Sequence, residues 1–280
     1  MKKIIVTGCN GQLGRAINKQ LAGNEDYELV NTDVAELDIT DVDKVLALVR
    51  EVKPYAIINC AAHTAVDACE IDLDNAYRIN AIGPRNLGIA ATETGAKLIH
   101  VSTDYVFDGK GTRPYVEFDT PNPQGAYGKT KLAGENMVKD FADRYMIFRT
   151  AWLYGDGRNF VKTMLRLAEN GDKVRVVEDQ VGSPTSAREL ARAITAQLFT
   201  DNYGLFHATC EGNCSWADFA REIFRLAGRD TYVEGITSAE FAAKAPRPAY
   251  SILENYMLKL TGGYQFADWH DALDYYMKAQ

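Results

Sequence analysis

Apolar positions follow two alternating patterns through the first half of the chain. Ile4-Ile5-Val6, Tyr27-Glu28-Leu29-Val30, Ala56 to Cys60, Lys97 to Val101 and Tyr145 to Arg149 are short runs that read as strands. Between them the apolar residues recur at helical spacing. Leu13, Ala16, Ile17 and Leu21 predict one helix, and Val45, Leu46, Leu48 and Val49 place a second over Asp43 to Val52, ended by Pro54. Ala76 to Thr94 and Tyr127 to Phe141 predict two more, with a bend or a crowded contact at Gly83-Pro84. Strands alternating with helices imply a parallel sheet covered on both faces, and right-handed crossovers make it doubly wound.

The second half is less regular. It predicts helices over Asn159 to Asn170, Ser186 to Phe199 and Ser215 to Ala227, and strands over Lys173 to Val177 and Leu205 to Ala208. No repeat, low-complexity tract or Gly/Ser linker separates the halves. We expect a nucleotide-binding domain over residues 1–150 and a smaller, mixed lobe over 151–280, with some of the lobe's elements returning to the first sheet.

Composition narrows the chemistry. The 280 residues are 46% hydrophobic and 25% charged, which is ordinary globular usage, and the net charge of -7 comes with no basic stripe. Nucleic acid is therefore not an expected partner, and an anionic ligand must be met by local devices such as backbone amides or a few cations. The longest apolar stretches cannot span a bilayer, and the run after Met1 stops at Thr7-Gly8, short of an export signal. Five Cys lie at spacings that form neither a zinc motif nor a disulfide framework. Reduced thiols in the cytoplasm are expected, with Cys60 read as a small core residue. His63, His100, His207 and His270 show no metal spacing, so no metal is expected.

Gly8, Gly11 and Gly14 follow the first strand and open the first helix. Glycines at that place serve a sharp turn, close approach to a pyrophosphate, and helix–sheet packing, while the helix N-terminus offers free N–H groups to the phosphates. This predicts a Rossmann-type dinucleotide site. Asp33, about twenty residues on at the end of the second strand, suits a ribose 2′-OH and favours NAD(H). Arg15 suits a 2′-phosphate, so the cofactor reads as NADPH or NADH.

Tyr127 and Lys131 stand at i and i+4, on one face of their helix. A nearby ammonium lowers a phenol pKa and fits it for acid–base work. Ser102-Thr103-Asp104 ends the fourth strand and brings hydroxyls that can polarise a carbonyl.

Those motifs, with Asn59-Cys60-Ala61-Ala62, resemble the extended short-chain dehydrogenase/reductase superfamily. Ala61 to Asp67, Ser102 to Gly109, Tyr127 to Glu135, Phe148 to Tyr154 and Asp179 to Thr185 are similar to the dTDP-4-dehydrorhamnose reductase family within it, more loosely beyond about Thr200. The resemblance implies reduction of the 4-keto group of a dTDP-6-deoxysugar for polysaccharide synthesis. By it, Tyr127 protonates the forming alkoxide, Lys131 holds the nicotinamide ribose and lowers the Tyr127 pKa, and Thr103 hydrogen-bonds the keto oxygen. Asn10, Gly11, Gln12 and Leu13 would lie under the pyrophosphate, Asp38 and Ile39 against the adenine, and Ala61, Ala62 and His63 beside the ribose. Val66, Asp104 and Trp152 match the sugar pocket, and Asn159 and Arg247 are candidates for the substrate diphosphate.

Two rival readings share these motifs. A nucleotide-sugar epimerase or dehydratase would keep its NAD tightly bound, and a regulatory NADP-binding subunit would lack turnover. In some members of the resembled family a Glu after the third glycine contributes to a metal-linked dimer. Gly14-Arg15-Ala16 carries no carboxylate there, so a monomer or a different homodimer is expected.

Overall fold

The computed structural model describes residues 1–169 and 171–279. In chain order the first half is β1 (Lys2–Thr7), α1 (Gln12–Leu21), β2 (Tyr27–Thr32), α2 (Val42–Val52), β3 (Ala56–Asn59), α3 (Val66–Ile71), α4 (Leu73–Tyr77), α5 (Gly83–Thr94), β4 (Lys97–Thr103), α6 (Ala126–Phe141) and β5 (Tyr145–Thr150). The second half is β6 (Leu153–Tyr154), α7 (Phe160–Glu169), β7 (Lys173–Val177), β8 (Val181–Gly182), β9 (Thr185–Ser186), α8 (Ala187–Gln197), β10 (Gly204–His207), β11 (Cys214–Ser215), α9 (Trp216–Leu226), β12 (Tyr232–Ile236), α10 (Ser238–Phe241), α11 (Tyr256–Leu260) and α12 (Trp269–Lys278). The predicted end of α7 at Asn170 lies outside the described residues.

Six parallel strands form the main sheet in the order β10-β5-β4-β3-β1-β2. The strand order reverses at β1, and such a switch point opens a crevice beyond the strands' carboxyl ends. Side chains alternate across the sheet. Ile4, Val6, Ile58, Ile99 and Phe148 face one core, which runs on without a break into Phe219, Trp269 and Leu273 of the second half. Ile5, Ile57, Leu98 and Ile147 face the other, under α2, α5 and α6. β10, from the second half of the chain, joins the sheet beside β5.

The helix expected over Ala76 to Thr94 contains a π turn at Arg78–Ile82. Pro84 has no N–H to give the Asn80 carbonyl, and the Gly83 N–H bonds Arg78 O instead. The freed Asn80 carbonyl lies so close to Gly134 of α6 that a Cβ there would meet it at 2.1 Å. The Gly83-Pro84 irregularity thus seats the helix that carries Tyr127. α3, β12 and the last three helices were not legible from periodicity. They are short, or their apolar faces meet partners distant in sequence.

Candidate active site

One cavity of about 500 Å³ lies at the carboxyl ends of β1, β3, β4 and β5. Its first wall is the glycine-rich turn. Thr7 Oγ1 donates to Asn59 Oδ1 at 2.7 Å, and the same oxygen accepts the Ala61 N–H at 3.2 Å, so the ends of β1 and β3 are tied side by side. Gly8 has φ +61°, and a Cβ there would stand 2.7 Å from Ala61 N. Gly14 packs so tightly that a Cβ would lie 2.4 Å from Gly8 O. These two glycines shape the turn from behind, while Gly11, Gln12 and Leu13 line the cavity.

Helix α1 begins at Gly11 with no side-chain cap, and Gln12 Oε1 is buried without a partner. An uncapped helix N-terminus opening on a cavity fits the pyrophosphate of a dinucleotide. Asp33 sits at the end of β2, where its Oδ2 accepts the Asn10 N–H at 3.1 Å and its Oδ1 the Val34 N–H at 2.8 Å. Asn10, Arg15, Asn18, Lys19 and Asn31 border a groove beside it.

The second wall is the end of β4 with the start of α6. Gly125 cannot cap α6 itself, and Glu70 Oε1 of α3 accepts the Ala126 N–H at 2.7 Å in its place. Tyr127 and Lys131 both line the cavity, opposite Ser102, Thr103 and Asp104. Thr103 Oγ1 donates to Asp104 Oδ1 at 2.9 Å. The Tyr105 ring meets Tyr127 edge-on, with centroids 5.3 Å apart.

Burial raises the Tyr127 pKa above the ordinary phenol range, the Thr103 hydroxyl pulls it down, and Asp104 adds to the rise. The phenol therefore holds its proton at neutral pH. Lys131, expected to depress that pKa, instead directs its ammonium at the Val101 carbonyl at 2.6 Å. Its own pKa falls to about 8 through burial, opposed by Glu135 and Cys60. Asp104 is pushed up to about 6 by burial, against the Thr103 and Ser251 hydroxyls.

Val66, Trp152, Trp216 and Arg247 close the far side. Trp152 has φ +48°, an uncommon conformation for a residue with a Cβ, and its indole stacks on Trp216 with centroids 3.5 Å apart. Arg247 donates to Asp67 Oδ1 at 3.1 Å and to the Tyr105 hydroxyl at 3.3 Å.

Ala61 and Ala62 also line the cavity, whereas His63 does not; its N–H is held by Asn80 Oδ1 at 2.8 Å. Asp38 bonds the Thr40 hydroxyl at 2.8 Å, and Ile39 is buried against the Gly83 position, so both stand away from the cavity. Asn159 is committed elsewhere. Its Nδ2 donates to Gly155 O and to the Tyr276 hydroxyl, and its Oδ1 accepts the Lys162 N–H at the start of α7. Cys60, read as core, lies past the end of β3 and lines the cavity, where burial pushes its thiol up to about 12.

Sequence reasoning missed Trp216, Tyr105 and Glu70. A capping box, Ser215 with Asp218, marks the helix that starts at Trp216. Nothing in the sequence says that its indole faces Trp152.

A switch-point crevice, an uncapped glycine-rich helix start and a Tyr/Lys pair facing strand-end hydroxyls define a nicotinamide-dependent oxidoreductase of the short-chain dehydrogenase/reductase type. The RmlD substrate binding domain family matches the chain over residues 1–280, and the chain belongs to that family. It is 41% identical over 286 residues to the dTDP-4-dehydrorhamnose reductase of Aggregatibacter actinomycetemcomitans, covering 98% of this chain and 97% of that one. A crystal structure of a dTDP-4-dehydrorhamnose reductase from Clostridium acetobutylicum superposes with a TM-score of 0.97 at 56% identity, over 99% of both chains. The Bacillus anthracis enzyme in complex with NADP superposes with a TM-score of 0.98 at 43% identity, over the whole of both chains.

Proposed function

We propose that this protein reduces the 4-keto group of dTDP-4-dehydro-L-rhamnose with NADPH or NADH, giving dTDP-L-rhamnose for polysaccharide synthesis. The observation that carries this reading is the meeting of Thr103, Tyr127 and Lys131 with the α1 N-terminus on one cavity. When bound, the reduced nicotinamide supplies the hydride. Tyr127 donates its proton to the keto oxygen, and Thr103 hydrogen-bonds the same oxygen. Lys131 exchanges its Val101 contact for the nicotinamide ribose. The amides of Gly11, Gln12 and Leu13 hold the pyrophosphate, with Ala61 and Ala62 beside the ribose. Asp33 takes the adenosine ribose, and the Asp38–Ile39 stretch, outside the cavity that receives the nicotinamide, takes the adenine edge.

Val66, Asp104 and Trp152 form the sugar pocket, with Trp216 backing the Trp152 indole and residues 151–280 supplying most of the substrate lobe. Arg247 reaches the diphosphate by releasing Asp67 or Tyr105. Asn159, with its side chain already committed, is assigned to the loop before α7 rather than to substrate.

Loss of nicotinamide absorbance with dTDP-4-dehydro-L-rhamnose tests the reading. Turnover establishes it. Cofactor binding without turnover overturns it, and tightly retained NAD would indicate an epimerase or dehydratase instead.

Two further outcomes are expected. Trp152→Ala raises the sugar KM by roughly tenfold, because an aromatic platform is lost from the pocket; an unchanged KM removes Trp152 from it. Arg15→Ala raises the NADPH KM by about tenfold or more and leaves that for NADH unchanged, since the 2′-phosphate is the one anionic group that NADPH has and NADH lacks. Equal effects on both cofactors would place Arg15 outside the 2′-phosphate site.

A further inference from the structure

On the face of the sheet under α6, Ser102, Arg149 and His207 stand in register on β4, β5 and β10. Parallel neighbours in register point to the same side. Above them, Arg149 Nε and Nη2 donate to Glu135 Oε1 and Oε2, both at 2.7 Å. Both side chains are at most 1% exposed. A charge pair so deeply buried is weak evidence for stability, because desolvation offsets much of the attraction. Its position gives it another use. Glu135 lies one helical turn beyond Lys131, which is itself only 2% exposed.

We propose that Glu135, fixed by Arg149, is a positioning residue that keeps Lys131 charged as an ammonium in the buried site. This rests on the reading of Lys131 as the group that serves the cofactor ribose.

Lys131 faces Glu135 on α6, Cys60 past β3 and His100 on β4. Burial keeps Cys60 a neutral thiol and His100 a neutral imidazole, which leaves Glu135 the one anion facing Lys131 among them. Arg149 faces His207, held neutral with a pKa near 3 by burial and by Arg149 itself, and Glu117, whose Oε1 accepts the His207 N–H at 2.7 Å. Lys139 approaches Glu135 at 3.8 Å from the half-exposed side of α6. Two cations, Arg149 and Lys139, thus lie on the carboxylate that stands one helical turn from Lys131. Removing the anion leaves Lys131 beside like charge. Removing a competing cation leaves it better neutralised.

The test is a pH titration of the whole, ligand-free chain carrying lysine labelled with ¹³C at Cε. The Lys131 resonance is assigned by its loss in Lys131→Met. Glu135→Gln is expected to lower the Lys131 midpoint by about one pH unit or more, the scale on which a neighbouring charge acts. Lys139→Met removes a half-exposed cation and is expected to raise the midpoint. Midpoints that coincide, or that move in one direction in both variants, overturn the proposal. Should Glu135→Gln not fold, the absence of an upward shift in Lys139→Met overturns it alone. The alkaline limb of kcat/KM is expected to move in the same order. Shifted resonances with an unmoved limb would keep the assignment for Lys131 and remove Lys131 from the reaction.

Discussion

Tyr127→Phe is expected to lower kcat by at least about a hundredfold, the lower end of the range for a positioned general acid. The substitution keeps the ring and its edge-on contact with Tyr105, so the helix and the cavity wall stay in place. It removes the phenol proton that Tyr127 holds beside the strand-end hydroxyls at neutral pH. Burial has already raised that pKa, so the wild-type phenol is loaded with its proton before substrate arrives. Cofactor affinity, which the proposed reading places on the α1 N-terminus and Lys131, is expected to change little. Steady-state kinetics beside a fluorescence titration with NADPH separates the two. A kcat within tenfold of wild type would remove Tyr127 as the acid.

Gly128→Ala is expected to abolish nearly all activity without touching a reacting group. A Cβ at Gly128 would lie 2.1 Å from Tyr105 O and 3.0 Å from Pro123 Cβ. Neither is the free end of a flexible chain, so α6 must move away from the segment that follows β4. Overpacking of this kind costs about 1–3 kcal/mol of stability. The functional loss is larger than that figure implies. Tyr127 sits on the displaced helix while Thr103 and Asp104 sit on the segment it leaves. A displacement of about 1 Å between reacting groups can cost a hundredfold in rate. A variant with a lowered Tm, intact cofactor binding and a collapsed kcat is the expected result. Wild-type kcat would show that α6 and the β4 end need not touch so closely.

Elements whose surroundings are local are legible in the sequence. β1, α1, β3, β4 and β5 were legible because each is a short apolar run or a full amphipathic helix, with its partner one crossover away. The Tyr127–Lys131 pair was legible because helical spacing alone puts both on one face. Positions where long-range contact decides are less legible. Lys131 was expected to act on the phenol, yet its long side chain finds the Val101 carbonyl at the strand end. Cys60 packs against the core, as its apolar run suggests, but β3 stops one residue earlier and the residue also lines the cavity. Asn159 matched a ligand position by order in the chain, whereas the Tyr276 hydroxyl on the last helix takes its amide.

By itself, then, the sequence determined the alternating parallel architecture, the glycine turn at residue 8 and the chemistry-bearing side chains at the strand ends. Those follow from periodicity and from the backbone needs of individual residues. Only the tertiary structure decided how the far wall closes. Trp152 and Trp216 stack from distant segments, Glu70 of α3 caps the helix of Tyr127, and Arg149 of β5 holds Glu135 beneath Lys131. Each of these contacts joins residues whose own neighbours in sequence carry no trace of the partner, because the sheet brings them together only after it has formed.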